Sequence, residues 1–202
     1  MSGIVNLPAT DLYDTVHDGE YRKNWDFTMQ EAKDVCKVSH NSDIGYYPID
    51  CRDYCTQRFW KESNGTYMVF NNSVQLKSVP IRPKIVRAIS YLTGYYIKQL
   101  SDNTCHLTCI SHNDPRGSIP KSMMNIITKK LAPRIFRNLV KTAGAYREWK
   151  QNNIPEFKPW LFPDQMANMP NLDPEDEDSS PIALPANNLN EDMCLDNLTL
   201  DY

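Results

Sequence analysis

The chain of 202 residues lacks any run of about 18 apolar residues, the length that a membrane-spanning helix needs. Its first residues, MSGIVNLPATDLYD, have neither the basic stretch nor the apolar stretch of a secretory signal. The six cysteines are scattered, which is typical of free thiols in a reducing compartment and not of a disulfide framework. We therefore expect a cytoplasmic protein.

Motifs of catalysis are lacking as well. The chain has only seven glycines, without a phosphate-binding glycine loop, an HExxH segment or a nucleophile elbow. Cys105 and Cys109 look like zinc ligands, but residues four apart on a strand lie about 13 Å from each other, too far to share one ion. A hydrolase built from a cysteine and a histidine distant in sequence stays an alternative. We predict no enzyme, no metal site and no cofactor.

Charge divides the chain into two parts. All 22 Lys and Arg precede Leu161, whereas ten of the 25 acidic residues lie from Asp164 onward. Residues 164–202 are rich in Pro, Asn and acids, so we predict a disordered acidic tail after one domain, residues 1–163. The positive domain favours anionic surfaces, either lipid headgroups or nucleic acid. Because no RNA-binding segment is recognisable, we predict no nucleic-acid partner.

The order of elements predicts an α+β fold. Two short helical segments precede six strands, which we place at residues 31–39, 44–49, 53–62, 66–74, 85–99 and 104–112. Turn residues between them, such as Asn64 and Gly65, favour an antiparallel meander. A long helix from about Pro120 to about Tyr146 follows, and Pro133 should kink or loosen it.

That helix has an apolar stripe and a basic stripe. The basic residues recur at steps of four, three and four, which places them on one helical face: Lys130, Arg134, Arg137 and Lys141. One interpretation is a helix that covers the core and turns a charged face to solvent. The other is a lid that closes a lipid cavity and makes transient contact with a membrane through its basic face.

Arg22 and Asp26 have a spacing that allows two interpretations. Four residues apart on a helix, they share a face, so the carboxylate can orient the guanidinium. On the surface such an ion pair contributes little stability. Inside a cavity, the same pair would present paired N–H donors to a phosphate.

Several segments of the chain resemble START domains, and most of all the group that transfers phosphatidylcholine. In order they are YDTVHDGEYRKNWD (13–26), DIGYY (43–47), CRDY (51–54), VRAISYLTGY (86–95), NDPRGSIPKSMMN (113–125) and YREWKQNNIPEFKPWL (146–161). The resemblance implies a helix-grip fold, in which a curved antiparallel sheet wraps a long C-terminal helix around one lipid, without catalysis. It also implies that the family's first helix and first strands are missing from this chain.

The same resemblance assigns a binding site. Arg22 and Asp26 match the positions that engage the lipid phosphate, and Tyr47, Tyr54 and Tyr91 match three aromatic residues around the choline group. Aromatic faces suit a quaternary ammonium, which has no N–H to donate. The expected ligand is phosphatidylcholine or phosphatidylethanolamine, held in a cavity and transferred between membranes. The alternative is a regulatory or interaction module that has lost transport.

Overall fold

The computed structural model describes residues 1–29, 31–49, 51–117, 119 and 125–178, and one antiparallel sheet dominates it. The strands lie in the order β1-β8-β7-β5-β4-β3-β2, and the short β6 pairs parallel with β4. Their bounds are β1 Ser2–Val5, β2 Lys33–Ser39, β3 Ser42–Ile49, β4 Arg52–Ser63, β5 Thr66–Ser73, β6 Val86–Arg87, β7 Ile89–Ser101 and β8 Thr104–Asp114.

The predicted meander is confirmed, and its turns follow from the sequence. The β4–β5 hairpin turns at Asn64 and Gly65, whose φ angles of 50° and 70° match the tight turns that suit twisted antiparallel strands. The structure adds β1, which the sequence pattern did not predict. Its four residues pair with β8 at the far edge of the sheet.

Helices fill the concave side of the sheet. Helices α1 (Ala9–His17) and α2 (Gly19–Arg22) separate β1 from β2, and a π-helical turn (Ile127–Leu131), α3 (Ala132–Ala143) and α4 (Tyr146–Gln151) follow the sheet. The predicted long helix is thus divided, and its start near Pro120 lies outside the described residues. Pro133 explains the π turn, because a proline lacks the amide proton and its ring crowds the carbonyl four residues earlier.

Two apolar clusters hold the elements together, one on each face of the sheet. On the concave face, Leu12 of α1 and Leu139 of α3 pack with Ile97 and Leu107 of the sheet, and all four are fully or almost fully buried. Burying such a side chain contributes about 1.5–3 kcal/mol. The outer face has a smaller cluster of Cys36, Ile44, Cys55 and Leu76.

Residues 170–176 of the predicted acidic tail make hydrogen bonds to the edge of the sheet and to the loop after β5. The Lys37 amide of β2 donates to the Pro170 carbonyl at 2.8 Å, and the Leu172 amide donates to the Lys37 carbonyl at 2.7 Å. Farther along, Asp176 accepts hydrogen bonds from the amide and hydroxyl of Ser78. The edge strand β2 offers free backbone groups that a polar segment can satisfy. Residues 179–202 lie outside the described residues.

Candidate functional site

Arg22 and Asp26 form a hydrogen-bonded ion pair at the end of α2. The Arg22 Nε and Nη2 atoms donate to Asp26 Oδ2 at 2.9 and 2.7 Å. The other carboxylate oxygen, Oδ1, accepts from the amide and hydroxyl of Thr28 at 3.2 and 2.6 Å. Both oxygens of Asp26 are therefore occupied, and the carboxylate fixes the direction of the guanidinium.

The Arg22 guanidinium keeps part of its hydrogen-bonding capacity. The Arg22 side chain is 34% accessible, whereas the side chain of Asp26 is 6% accessible. Of the five N–H bonds in a guanidinium, two point to Asp26, and no other described residue accepts from the remaining three. Its carbon lies 5.4 Å from the centre of the Trp25 ring and 5.9 Å from that of Tyr47. The site therefore presents oriented cationic donors between aromatic rings.

The ionisation states in this pair are well defined. Burial alone would raise the pKa of Asp26, but the Arg22 charge and the Thr28 hydrogen bonds outweigh it and lower that pKa below the usual carboxyl value. Burial would lower the pKa of Arg22, yet Asp26 and the phenol groups of Tyr95 and Tyr47 raise it. At neutral pH the pair carries both charges.

Tyr47 is positioned by a glycine. Its ring lies back over Gly45, so that a Cβ atom at Gly45 would stand 2.5 Å from the Tyr47 hydroxyl. Any side chain at this position would therefore displace the ring from its place beside Arg22. Gly45 also pairs across the sheet with Asp34 of β2 and Thr56 of β4. The site thus extends over three neighbouring strands.

Arg22 and Tyr47 line a cavity of about 370 Å³ between the sheet, the end of α1 and the chain that follows α4. A second ion pair stands in its wall: Arg58 donates to both oxygens of Asp43, with Nε to Oδ1 at 3.0 Å. Apolar side chains from the segment after α4 line the opposite side, namely Ile154, Phe157, Pro159, Trp160, Met166 and Met169. The cavity thus combines charged groups on the sheet with an apolar wall.

The structure brings together some of the residues that the sequence predicts. Tyr47 stands beside Arg22. Tyr54 pairs with Tyr47 on the neighbouring strand and has its pKa raised by burial, but it does not line the cavity. Tyr91 is exposed and packs against His112, with the ring centres 4.8 Å apart. The structure therefore does not place Tyr91 at Arg22.

Tyr95 lies nearer to Arg22 than Tyr91 does, although the sequence does not predict Tyr95 as a site residue. Its ring lies edge-on to Trp25 at 6.3 Å, and its phenol interacts electrostatically with Arg22. A β-bulge between Ser90 and Leu92 explains why Tyr95, and not Tyr91, lies near Arg22. The bulge breaks the two-residue alternation of side chains between Tyr91 and Tyr95. Only the second tyrosine of the VRAISYLTGY segment faces the concave side, and periodicity cannot reveal a bulge.

The predicted membrane-docking residues lie outside the cavity. All four are exposed, Lys130 in the π turn and the others along α3: Lys130, Arg134, Arg137 and Lys141. The Arg134 guanidinium lies 4.8 Å from the ring of Phe27, which is itself exposed and follows Asp26 directly. The helix therefore displays the predicted basic face to solvent.

Cysteine chemistry finds no support. Burial raises the pKa of Cys105 to about 11 and that of Cys109 to about 12, so both are thiols at neutral pH and poor nucleophiles. Within the described part of the chain, no group of three or more His, Cys, Asp and Glu is arranged to hold a metal ion. None of the helices described there has the length and apolar character of a transmembrane segment.

Comparison with known proteins shows what the chain is similar to. Residues 1–149 match the START domain. START domain-containing protein 10 of Homo sapiens is 39% identical over 173 residues, 83% of this chain and 59% of the relative, so the chain spans about three fifths of that relative's length. Phosphatidylcholine transfer protein of Mus musculus is 23% identical over 147 residues, 68% of each protein.

Solved structures show the same fold. The crystal structure of human STARD10 has a TM-score of 0.82 at 36% identity, covering 90% of this chain and 77% of that chain. Human StAR-related lipid transfer protein 5 has a TM-score of 0.65 at 19% identity, covering 71% of this chain and 73% of that one. The match over residues 1–149, together with 39% identity to a START domain-containing relative over 83% of the chain, shows that the chain belongs to the START domain family.

Proposed function

We propose that this protein is a non-enzymatic carrier that binds a phospholipid headgroup at Arg22 and moves the lipid between membranes. The observation that carries the proposal is the Arg22 guanidinium, which Asp26 holds in a fixed direction while three N–H donors stay free of described partners. A planar guanidinium matches the geometry of a phosphate better than any other side chain. The cavity beside it gives a headgroup room to enter.

A zwitterionic headgroup suits the surroundings of Arg22. Tyr47 and Tyr95 bring aromatic rings to the site, and such rings stabilise a desolvated ammonium by about 0.5–2 kcal/mol each. Asp34 in the cavity wall adds a carboxyl group outside the Arg58–Asp43 ion pair. The name of the relative phosphatidylcholine transfer protein supports the same class of ligand. Phosphatidylcholine and phosphatidylethanolamine are therefore the proposed ligands, with Tyr95 in place of Tyr91.

The exposed basic face of α3 is proposed to contact membranes. Arg134, Arg137 and Lys141 stand on solvent-exposed positions of one helix, together with Lys130 in the preceding turn. Each basic residue near an anionic leaflet contributes about 1 kcal/mol to binding. We therefore expect exchange of lipid to occur at the cytoplasmic surface of anionic membranes.

Mass spectrometry of the protein, purified under native conditions, tests the proposal. We expect one phosphatidylcholine or phosphatidylethanolamine molecule per chain, released on denaturation. Thermal unfolding with added vesicles of either lipid should show a higher melting temperature, because a ligand stabilises the state that binds it. Recovery of sterol alone would contradict the phospholipid ligand. Recovery of no lipid, together with an unchanged melting temperature, would contradict the carrier and favour the interaction module.

A further inference from the structure

Four large apolar side chains are exposed within nine residues of the segment that follows α4. They are Ile154, Phe157, Leu161 and Phe162, and we call them the 154–162 patch. Ile154 is 73% and Phe162 is 56% exposed. Scattered exposed apolar residues need no explanation, but four of them in so short a segment indicate a contact surface.

The patch is displayed by a rigid segment. Lys158 donates to Asp14 Oδ2 at 2.6 Å, and the Trp160 indole N–H donates to Asp14 Oδ1 at 2.7 Å. Trp160 is buried and stacks on His17, whereas the two residues after it, Leu161 and Phe162, are exposed. Buried anchors therefore hold this segment in place, and the exposure of the patch does not come from a loose loop.

Backbone geometry at Ile154 supports the same conclusion. Its φ angle of 50° is a left-handed conformation that β-branched residues rarely adopt. The Phe157 amide donates to the Ile154 carbonyl at 3.0 Å and closes the turn. Strained positions of this kind cluster where a protein binds something.

The patch adjoins the mouth of the Arg22 cavity. Ile154 and Phe157 are exposed on the surface and also line that cavity, next to Met166 and Met169. A ligand that leaves the cavity on this side therefore passes along the patch. Apolar side chains at such a rim match the acyl region of a bilayer.

Charges near the patch do not favour an anionic surface. Lys158 is paired with Asp14, and Arg147 is paired with Asp11 at 2.8 Å. The exposed charges within and beside the segment are acidic, at Glu156 and Asp164. This distinguishes the patch from the basic face of α3.

We propose that the 154–162 patch inserts into the interface of a zwitterionic bilayer, as a docking surface separate from the basic face. Burial of apolar side chains drives this contact, so added salt does not weaken it. The purpose of the contact rests on the proposed carrier function. The contact itself needs no ligand in the cavity and is measured independently of lipid occupancy.

Co-sedimentation of the full chain with vesicles of pure phosphatidylcholine tests this surface. The patch variant Leu161→Ser/Phe162→Ser should bind about tenfold or more weakly than wild type, because two large side chains no longer enter the bilayer. The control Leu100→Ser/Phe59→Ser removes one exposed leucine and one exposed phenylalanine from the sheet and should bind like wild type. Melting temperatures of both variants check that they fold.

A measurement without substitutions adds an independent test. Hydrogen exchange of wild type with and without the vesicles should show protection at Leu161 and Phe162, which are not among the residues that line the cavity, and this protection should be unchanged in about 0.5 M NaCl. Equal binding by patch and control variants, release by salt, or protection confined to other segments would overturn the proposal. A dimer without vesicles that the patch variant abolishes would overturn it in favour of contact between two copies. If the protein is purified with a bound phospholipid but does not bind these vesicles, the docking role of the patch is refuted and the proposed carrier function is not.

Discussion

Two arginine–aspartate pairs of this protein have similar chemistry and different surroundings. Arg87 donates to both oxygens of Asp53, at 2.6 and 3.2 Å, and its Nη2 also donates to the Val79 carbonyl at 3.2 Å. The Tyr46 hydroxyl also donates a hydrogen bond to Asp53 Oδ2, at 2.9 Å. Side-chain exposure in this pair is 2% and 0%, against 34% and 6% for Arg22 and Asp26.

The difference separates a pair that stabilises the fold from one that is free to bind. The guanidinium of Arg87 is enclosed by protein groups that fix the loop before β6 on the outer face of the sheet. The guanidinium of Arg22 is held at one edge only, and its other edge meets a cavity. Predictions about the two pairs should therefore diverge, with stability affected most at Arg87 and binding affected most at Arg22.

Arg87→Met should have the largest effect on stability. In this variant the buried Asp53 carboxylate keeps only the hydrogen bond from the Tyr46 hydroxyl. Removing one partner of a buried ion pair lowers the free energy of unfolding by about 3–5 kcal/mol. Urea unfolding of wild type and variant measures the change. A loss under about 1 kcal/mol would show that the enclosed pair does not stabilise the fold.

Arg22→Met should destabilise the protein less, by about 1–3 kcal/mol, because Asp26 keeps both hydrogen bonds from Thr28 and its carboxylate can take up a proton. The same urea experiment compares it with Arg87→Met. If the two variants lose equal stability, the accessible face of Arg22 has no special significance.

The sequence predicts the Arg22 pair but not the Arg87 pair, for physical reasons. Arg22 and Asp26 are four apart on a helix, so local geometry alone brings them together. Arg87 and Asp53 meet only because β6 pairs with β4, and no local pattern encodes a contact between residues so far apart. The position of Tyr95 near the site, where the sequence predicts Tyr91, has a similar cause, because a bulge depends on the pairing of the whole strand.

The contacts of the acidic segment were also beyond sequence reasoning. Residues 164–178 have few apolar side chains, and composition alone predicts disorder. Their hydrogen bonds go to Lys37 and Ser78, two positions whose availability is decided by the sheet edge and by the loop after β5. By contrast, the meander and the interrupted helix follow from turn residues and Pro133, which act locally.

A buried group without a partner extends the comparison. His17 is buried among aromatic rings, neither ring nitrogen has a partner in the described structure, and burial lowers its pKa well below the usual value. In the unfolded chain His17 binds a proton below about pH 6.5, whereas in the folded chain it does not. The free energy of unfolding should therefore decrease as the pH is lowered, by about 1 kcal/mol from pH 7 to pH 5.5. In His17→Phe this loss should vanish from urea unfolding curves. An unchanged pH dependence in the variant would assign it elsewhere.

The smallest effect is expected at the tyrosines. Tyr95→Leu should weaken binding of phosphatidylcholine by roughly two- to fivefold, because one aromatic contact with the ammonium is worth about 0.5–1 kcal/mol. Tyr91→Leu should leave binding unchanged, since that ring lies on the surface beside His112. Fluorescence titration with a labelled lipid measures both variants. A larger loss of affinity in Tyr91→Leu than in Tyr95→Leu would indicate that Tyr91, and not Tyr95, contacts the ligand.

Lipid occupancy of Arg22→Lys is the most direct test of the account. Lysine keeps the charge beside Asp26 but loses the planar fork that binds a phosphate. Arg147→Lys is the matched control, because Arg147 also pairs with an aspartate but lies on the surface. Native mass spectrometry should find one phospholipid in wild type and in Arg147→Lys, and little or none in a folded Arg22→Lys. Full occupancy of Arg22→Lys would contradict the claim that the open guanidinium binds the ligand.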